Sequence, residues 1–187
     1  MQSPQNEIRR VVRQLVESDK SSDILAAVDK YFAADAQIVY PLLNSPRQSG
    51  REGVKAAYKM LRVLTYGNQV EFNVVAFDRI RAVKGVEYQS GFLDVVETLK
   101  FRVPLVPERL NPSFSIRFLT RIDLRKETDG SDLWRVVKQE DSLPTDYAST
   151  GIRLFPFDRQ LSNLVKFATG LGTLVVGSTL TRLNWFH

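Results

Sequence analysis

Apolar residues recur at every third or fourth position through the first third of this chain, and at every second position from Asn68 onward. This change of period from 3.6 to 2 limits the fold more than any other feature. A chain that places its helices first and its strands afterward does not build repeated βαβ units. It segregates helices to one side of a sheet whose sequential strands pair antiparallel. The expected class is therefore α+β, with three N-terminal helices on a curved antiparallel sheet.

The helical part reads in three segments. Ile8, Val11, Val12, Leu15 and Val16 share one face of a first helix opened by Pro4 or Asn6. The polar stretch 18–23 is a turn, with Ser22 or Asp23 as the cap of a second helix bearing Ile24, Leu25, Ala27, Val28, Tyr31 and Phe32. A short strand from Asp35 stops at Pro41, and a third helix from Gly50 buries Val54, Ala57, Tyr58, Leu61 and Leu64.

In the strand region, Val70, Phe72, Val74 and Ala76 alternate with Glu71, Asn73, Val75 and Phe77. After a turn at 81–85, Tyr88, Ser90, Phe92, Asp94 and Val96 share one face of a long strand. Phe114, Ile116, Phe118, Thr120, Ile122 and Leu124 share a face of the next, and residues 133–141 form the last. Between them, Phe101 to Ser113 holds Pro104, Pro107 and Pro112, which exclude a central strand. Its apolar Val103, Leu105, Val106 and Leu110 point to a pocket lid, a membrane contact or simple packing on the domain.

Composition narrows the chemistry. There is no cysteine, and His187 is the single histidine. Neither a thiolate zinc site, a two-histidine metal site nor a Ser-His-Asp triad can be drawn, so no metal or cofactor is expected. The net charge is +5, and residues 151–187 hold Arg153, Arg159, Lys166 and Arg182 against Asp158 alone. The basic excess thus sits beside the C-terminal segment rather than in a stripe over the body, which argues against nucleic acid. The polar N-terminus carries no secretory signal, so a cytoplasmic location is expected.

Two regions follow: a domain over 1–150 and an appended apolar tail over 151–187. The run from Phe167 to Leu180 has no charge. As a helix it would rise about 21 Å, against a hydrocarbon core of about 30 Å, and its glycines and hydroxyls make it a poor span. An interfacial helix fits better, with Phe157, Leu161, Leu164, Phe167, Leu171, Val175, Trp185 and Phe186 in contact with lipid. Leu105 and Val106 are a second contact. The soluble alternative is a tail folded over its own sheet or covered in a homodimer.

Three stretches carry a family resemblance: Tyr31 to Pro41, Gly50 to Tyr58, and Trp134 to Ser142. In their order and spacing they resemble the nuclear transport factor 2-like superfamily. Within it, the proline-bearing loop and the tail resemble a fungal group labelled SigF-like. The resemblance implies a cone-shaped fold with a pocket between helices and sheet, a fold that hosts enzymes as well as non-enzymes. Ketosteroid isomerase-like members use a carboxylate base just before the proline of the first strand, where this chain has Tyr40. Members that rely on pocket histidines have no counterpart, since the last strand here reads Gln139-Glu140-Asp141.

The leading expectation is therefore a protein that holds a lipid-like apolar ligand among Tyr31, Tyr40, Tyr58, Phe72, Tyr88, Phe92, Phe114, Ile116 and Phe118. It would dock on the cytoplasmic face of a membrane or lipid droplet. The alternative is an isomerase, dehydratase or cyclase using Asp94 with Tyr40 or Tyr58 for proton transfer. A further alternative is a homodimeric interaction scaffold.

Overall fold

The structure is a computed structural model that describes residues 1–40 and 43–144, together with residues 157, 160, 164 and 168. Helix α1 (Pro4–Val16) opens on its proline, and the Glu7 carboxylate accepts the N–H groups of Gln2 and Ser3 at 2.7 and 3.0 Å. Helix α2 (Ser21–Tyr31) passes directly into strand β1 (Phe32–Tyr40), so Phe32 is a strand residue rather than the end of the helix. A two-residue strand β2 (Leu43–Asn44) folds back on β1.

Helix α3 (Gly50–Leu64) starts on a glycine for a structural reason. Gly50 has φ 49°, and a Cβ there would stand 2.3 Å from the Ala34 carbonyl oxygen. The helix can begin this close to β1 only without a side chain. That closeness presses Val54, Ala57 and Tyr58 onto the sheet.

The remaining strands are β3 (Thr65–Phe77), β4 (Arg81–Val83), β5 (Val86–Phe101), β6 (Ser113–Lys126) and β7 (Trp134–Ser142). Lys84 and Gly85, at φ 51° and 80°, join β4 to β5 in a two-residue turn of the mirror-image kind that matches strand twist. The sheet order is β2-β1-β7-β6-β5-β3, with β4 pairing to β5. The sheet is mixed rather than wholly antiparallel. Strand β7 enters beside β1 running the same way, Ile38 opposite Gln139, while all other pairs are antiparallel.

One core fills the space between helices and sheet. Ile8, Val11 and Leu15 of α1 and Ile24, Val28 and Tyr31 of α2 join α3 and meet Leu93, Val95, Ile122, Leu124 and Val136 of the sheet. This is an α+β cone with helices on one face. Among the described residues no helix is long and apolar enough to cross a membrane.

Candidate functional site

Strand parity decides which side chains enter the cone. On β5 the inward set is Leu93, Val95, Glu97 and Leu99, the even-numbered neighbours Phe92, Asp94 and Val96 lying outside. On β6 it is Ile116, Phe118, Thr120 and Ile122, facing Glu97, Val95, Leu93 and Gly91 respectively. On β7 it includes Val136, Gln139 and Asp141, with Gln139 opposite Ile122 and Asp141 opposite Thr120. Polar groups from three strands are thus carried to one apolar wall, and Tyr58 meets them from α3.

Between helices and sheet is a cavity of about 20 Å³, lined on the helical side by Ile8, Val11, Val12, Leu15, Val16 and Tyr58. Its sheet side holds Phe32, Leu93, Val95, Glu97, Thr120, Ile122, Val136 and Gln139. That volume admits about one water molecule. It is far below the ~300–1,000 Å³ typical of sites for larger organic ligands.

The polar groups form a chain. The Tyr58 hydroxyl donates to Gln139 Oε1 at 3.0 Å, and Gln139 Nε2 donates to Asp141 Oδ2 at 2.8 Å. The Thr120 hydroxyl donates to Asp141 Oδ1 in a short hydrogen bond. Tyr40, half-buried at the end of β1, reaches both the Tyr58 hydroxyl and the Asp141 carboxyl. Asp141 is buried behind Thr120 and Gln139 and does not line the cavity. Glu97 does, and its carboxyl has no hydrogen-bond partner among the described residues.

Burial controls the electrostatics. It pushes the Glu97 carboxyl up to about 8, and the nearby Asp141 charge adds to the effect. It pushes Asp141 up to about 6 against the opposing hydrogen bonds from Thr120, Gln139 and Tyr40. Burial also moves both phenols well above their ordinary range. The two carboxyls interact, so they release their protons as a pair, and around neutral pH the pair retains one.

The residues expected from sequence divide. Tyr58 lines the cavity, Tyr40 stands beside it, and Ile116 and Phe118 belong to the inner face. Tyr31 is wholly buried in the core, away from the cavity. Phe72 packs on the core beneath the guanidinium groups of Arg9 and Arg13, 5.9 and 5.8 Å from its centroid. Phe92 and Phe114 are half-exposed, Phe114 standing edge-on to Phe101 at 5.7 Å. Tyr88 lines an open groove with Arg81, Val83 and Arg121.

Asp94 is outside the cone. Its carboxylate takes two hydrogen bonds from Arg117, at 2.8 and 2.5 Å, and one from Asn73 at 3.2 Å. The Arg117 guanidinium holds it below the usual carboxylate range. An acid held ionised by arginine on the outer face is not the proton-transfer group of this cavity. Strand β3 changes its own inward face. A bulge between Phe72 and Val74 switches its inward set from Val70 and Phe72 to Val75 and Phe77, and Val74 becomes exposed.

Sequence reasoning passed over Glu97, Thr120 and Asp141 as site residues. The parity of Leu93, Val95 and Leu99 was the available signal for Glu97, but Phe92 and Val96 make the opposite face equally apolar.

The loop between β5 and β6 is anchored at its base and exposed at its tip. Arg102 N–H donates to the Leu64 carbonyl at 2.8 Å, and the Tyr66 hydroxyl donates to the Glu108 carbonyl at 2.9 Å. Leu105 is fully exposed, and Val103, Val106 and Leu110 are exposed with it. In the tail, Phe157 and Leu164 are exposed, while Leu161, Phe167, Leu171, Val175, Trp185 and Phe186 lie outside the described residues. Among the described residues no cluster of three or more His, Cys, Asp or Glu side chains is arranged to hold a metal ion.

Known proteins supply the wider setting. The family model of the SigF NTF2-like domain matches residues 1–185. A nuclear transport factor 2-like superfamily protein from Salmonella enterica serovar Typhimurium superposes with a TM-score of 0.54 at 12% identity, covering 82% of this chain and 95% of its own. A hexachlorocyclohexane dehydrochlorinase superposes with 0.51 at 13% identity, covering 74% and 86%. A putative scytalone dehydratase from Novosphingobium aromaticivorans superposes with 0.50 at 12% identity, covering 80% and 88%. At these identities the likeness is one of fold. No curated protein matches the chain.

Proposed function

The chain belongs to the SigF NTF2-like domain family, and from that premise we propose that it is a proton-transfer enzyme of the isomerase, dehydratase or cyclase kind acting on a small apolar molecule. The observation that carries the reading is Glu97, a carboxyl without a hydrogen-bond partner among the described residues, on an apolar wall with the Tyr58 phenol on the same cavity. Burial keeps Glu97 protonated at neutral pH, which is the state a general acid requires. In the proposed step Glu97 gives its proton to a departing hydroxyl oxygen of the substrate, which leaves as water, and the Glu97 carboxylate so formed takes the proton of the adjacent carbon as the double bond forms, restoring the acid. On a ketone the same carboxyl protonates the carbonyl oxygen and its carboxylate takes the neighbouring C–H proton to give the enol. Tyr58, whose own proton is engaged by Gln139, accepts a hydrogen bond from a substrate hydroxyl.

The ketosteroid isomerase-like position before the first-strand proline is Tyr40 here, so the working carboxyl comes from β5 instead. Two fold neighbours described as a dehydratase and a dehydrochlorinase support the reaction class. Substrate binding requires the cone to widen beyond its present volume, with α1 moving outward because it supplies much of the helical lining.

The test is turnover of a panel of small cyclic ketones, enones and secondary alcohols, followed by proton NMR. Glu97→Gln is expected to lower the rate on the order of 100-fold, and the wild-type rate to fall as pH rises through about 8. A panel that no wild-type protein converts, or equal rates in Glu97→Gln, rejects the reading.

A second reading has its own observation, the exposed apolar tip at Leu105 and Val106 flanked by Arg102 and Arg109. Apolar side chains with neighbouring cations suit an anionic lipid surface, such as the cytoplasmic face of a membrane or a lipid droplet, from which a lipid-like ligand would be drawn. Flotation with phosphatidylcholine–phosphatidylserine vesicles tests it. The Leu105→Ser/Val106→Ser double variant is expected to float several-fold less than wild type, and equal flotation rejects it.

A further inference from the structure

Gln139 and Tyr40 both link the cavity phenol to the buried Asp141, and of the two Gln139 carries an amide whose two faces differ, one accepting and one donating. In this structure its carbonyl oxygen accepts from Tyr58 and its NH₂ donates to Asp141. That orientation suits an ionised Asp141, which accepts hydrogen bonds only. A protonated Asp141 is different, because one of its oxygens becomes a donor. Thr120 contacts Oδ1 and Gln139 contacts Oδ2, so a proton on Oδ2 is the one that bears on the amide. An O–H and an NH₂ cannot share one hydrogen bond as two donors. The amide resolves this by turning over, so that Oε1 accepts from Asp141 and Nε2 donates to the Tyr58 oxygen.

We propose that Gln139 is a positioning residue that passes the protonation state of Asp141 to Tyr58 by reversing its side-chain amide. With Asp141 ionised, the Tyr58 proton is held by Gln139 and its oxygen presents a lone pair to the cavity. With Asp141 protonated, Tyr58 receives a hydrogen bond from Gln139 and its own proton turns away, toward the cavity or the Tyr40 hydroxyl. The same phenol is an acceptor in one state and a donor in the other. The cavity therefore prefers a substrate hydroxyl in the first state and a carbonyl or oxyanion in the second.

The surroundings permit this assignment. The titratable groups facing Asp141 and Gln139 are Tyr58 from α3, Tyr40 from β1 and Glu97 from β5, while Thr120 of β6 is neutral. The α1 side of the cavity is wholly aliphatic. Among the described residues no lysine or arginine lines the cavity to hold Asp141 permanently ionised, and burial brings its titration to about 6. The functional consequence rests on the proton-transfer reading above. The relay itself is tested without substrate, so failure of the relay and failure of that reading are distinguishable.

The experiment is carbon-13 NMR on protein labelled at tyrosine Cζ and aspartate Cγ, with Tyr58 assigned by Tyr58→Phe and Asp141 by Asp141→Asn. In wild type the Tyr58 Cζ signal is expected to shift between pH 5 and 8 with the midpoint of the Asp141 Cγ signal. In Asp141→Asn the titrating group is gone, so the Tyr58 signal should stop responding between pH 5 and 7. Tyr40→Phe removes the second link and should keep the response, whereas in Tyr40→Phe/Gln139→Met Asp141 should still titrate while Tyr58 no longer follows it. A Tyr58 signal that ignores the Asp141 titration in wild type overturns the proposal. So does one that tracks it unchanged in Tyr40→Phe/Gln139→Met, or one that still titrates between pH 5 and 7 in Asp141→Asn. If the variants at Gln139 do not fold, the titration of Tyr40→Phe, in which Gln139 is the remaining link, decides the matter: a Tyr58 signal that no longer follows Asp141 there overturns the proposal.

Discussion

The Tyr58 hydroxyl on α3 donates to the side-chain carbonyl of Gln139 on β7 at 3.0 Å, joining residues 81 apart in sequence. It ties the third helix to the last strand through two side chains that local pattern reads differently, one as core aromatic and one as strand filler. Removing the hydroxyl leaves a partly buried carbonyl oxygen without its donor. Tyr58→Phe is expected to destabilise the protein by about 1–3 kcal/mol, measured as a lower urea midpoint at unchanged m value.

Glu97 makes stability depend on pH in a definite direction. A carboxyl whose pKa is higher in the folded state binds its proton more tightly there. Its contribution is complete below the ordinary carboxylate range and is lost as pH rises through about 8. Asp141 acts in the same sense, with its loss complete above about 6. Wild-type stability should therefore decline between about pH 4 and pH 8. Glu97→Gln should flatten the upper part of that slope and be more stable than wild type at pH 8.5 by on the order of 2 kcal/mol. Urea unfolding across this range checks it; a variant with the wild-type slope contradicts the assignment.

Asp94 should behave as a surface residue. Its pairing with Arg117 is on the outer sheet face, and partly exposed pairs of this kind contribute about 0–1 kcal/mol. Asp94→Asn is expected to change the unfolding free energy by no more than about that amount. It should also leave turnover of the ketone and alcohol panel within twofold of wild type. A large loss of turnover would move the active carboxyl back to the outer face.

Gly50 sets the position of Tyr58 by letting α3 start against β1. Any Cβ there meets the Ala34 carbonyl oxygen at 2.3 Å, in a backbone conformation with φ 49°. Neither the clash nor the strain is relieved by a rotamer change, because the obstacle is main chain. Gly50→Ala should cost about 2–4 kcal/mol, read as a lower thermal or urea midpoint.

Much of the fold was legible in the periodicity. Ile8, Val11 and Leu15 mark a helix face whatever surrounds them, because every third or fourth residue of a helix meets the same neighbour. The same holds for Val54, Ala57 and Tyr58. The site was less legible. On β5 both faces are apolar, Phe92 and Val96 on one and Leu93 and Val95 on the other, so alternation revealed a strand but not its inward side. On β3 the bulge at Asn73 reverses parity within one strand. Asp141 reads locally as the polar end of a strand.

From the sequence alone followed the three helices, the long strands and their order, though not the short strands β2 and β4, and the absence of cysteine and of any histidine before His187. These are local properties, decided by spacing and composition. The tertiary structure decided which face of β5 the helices cover, that β7 runs parallel to β1, and that Tyr58, Gln139, Thr120 and Asp141 meet. Each of those depends on contacts between residues far apart in the chain, and a side-chain period of two records only that faces alternate. It does not record which face is covered. That single choice places Glu97 in the cavity and leaves Asp94 outside.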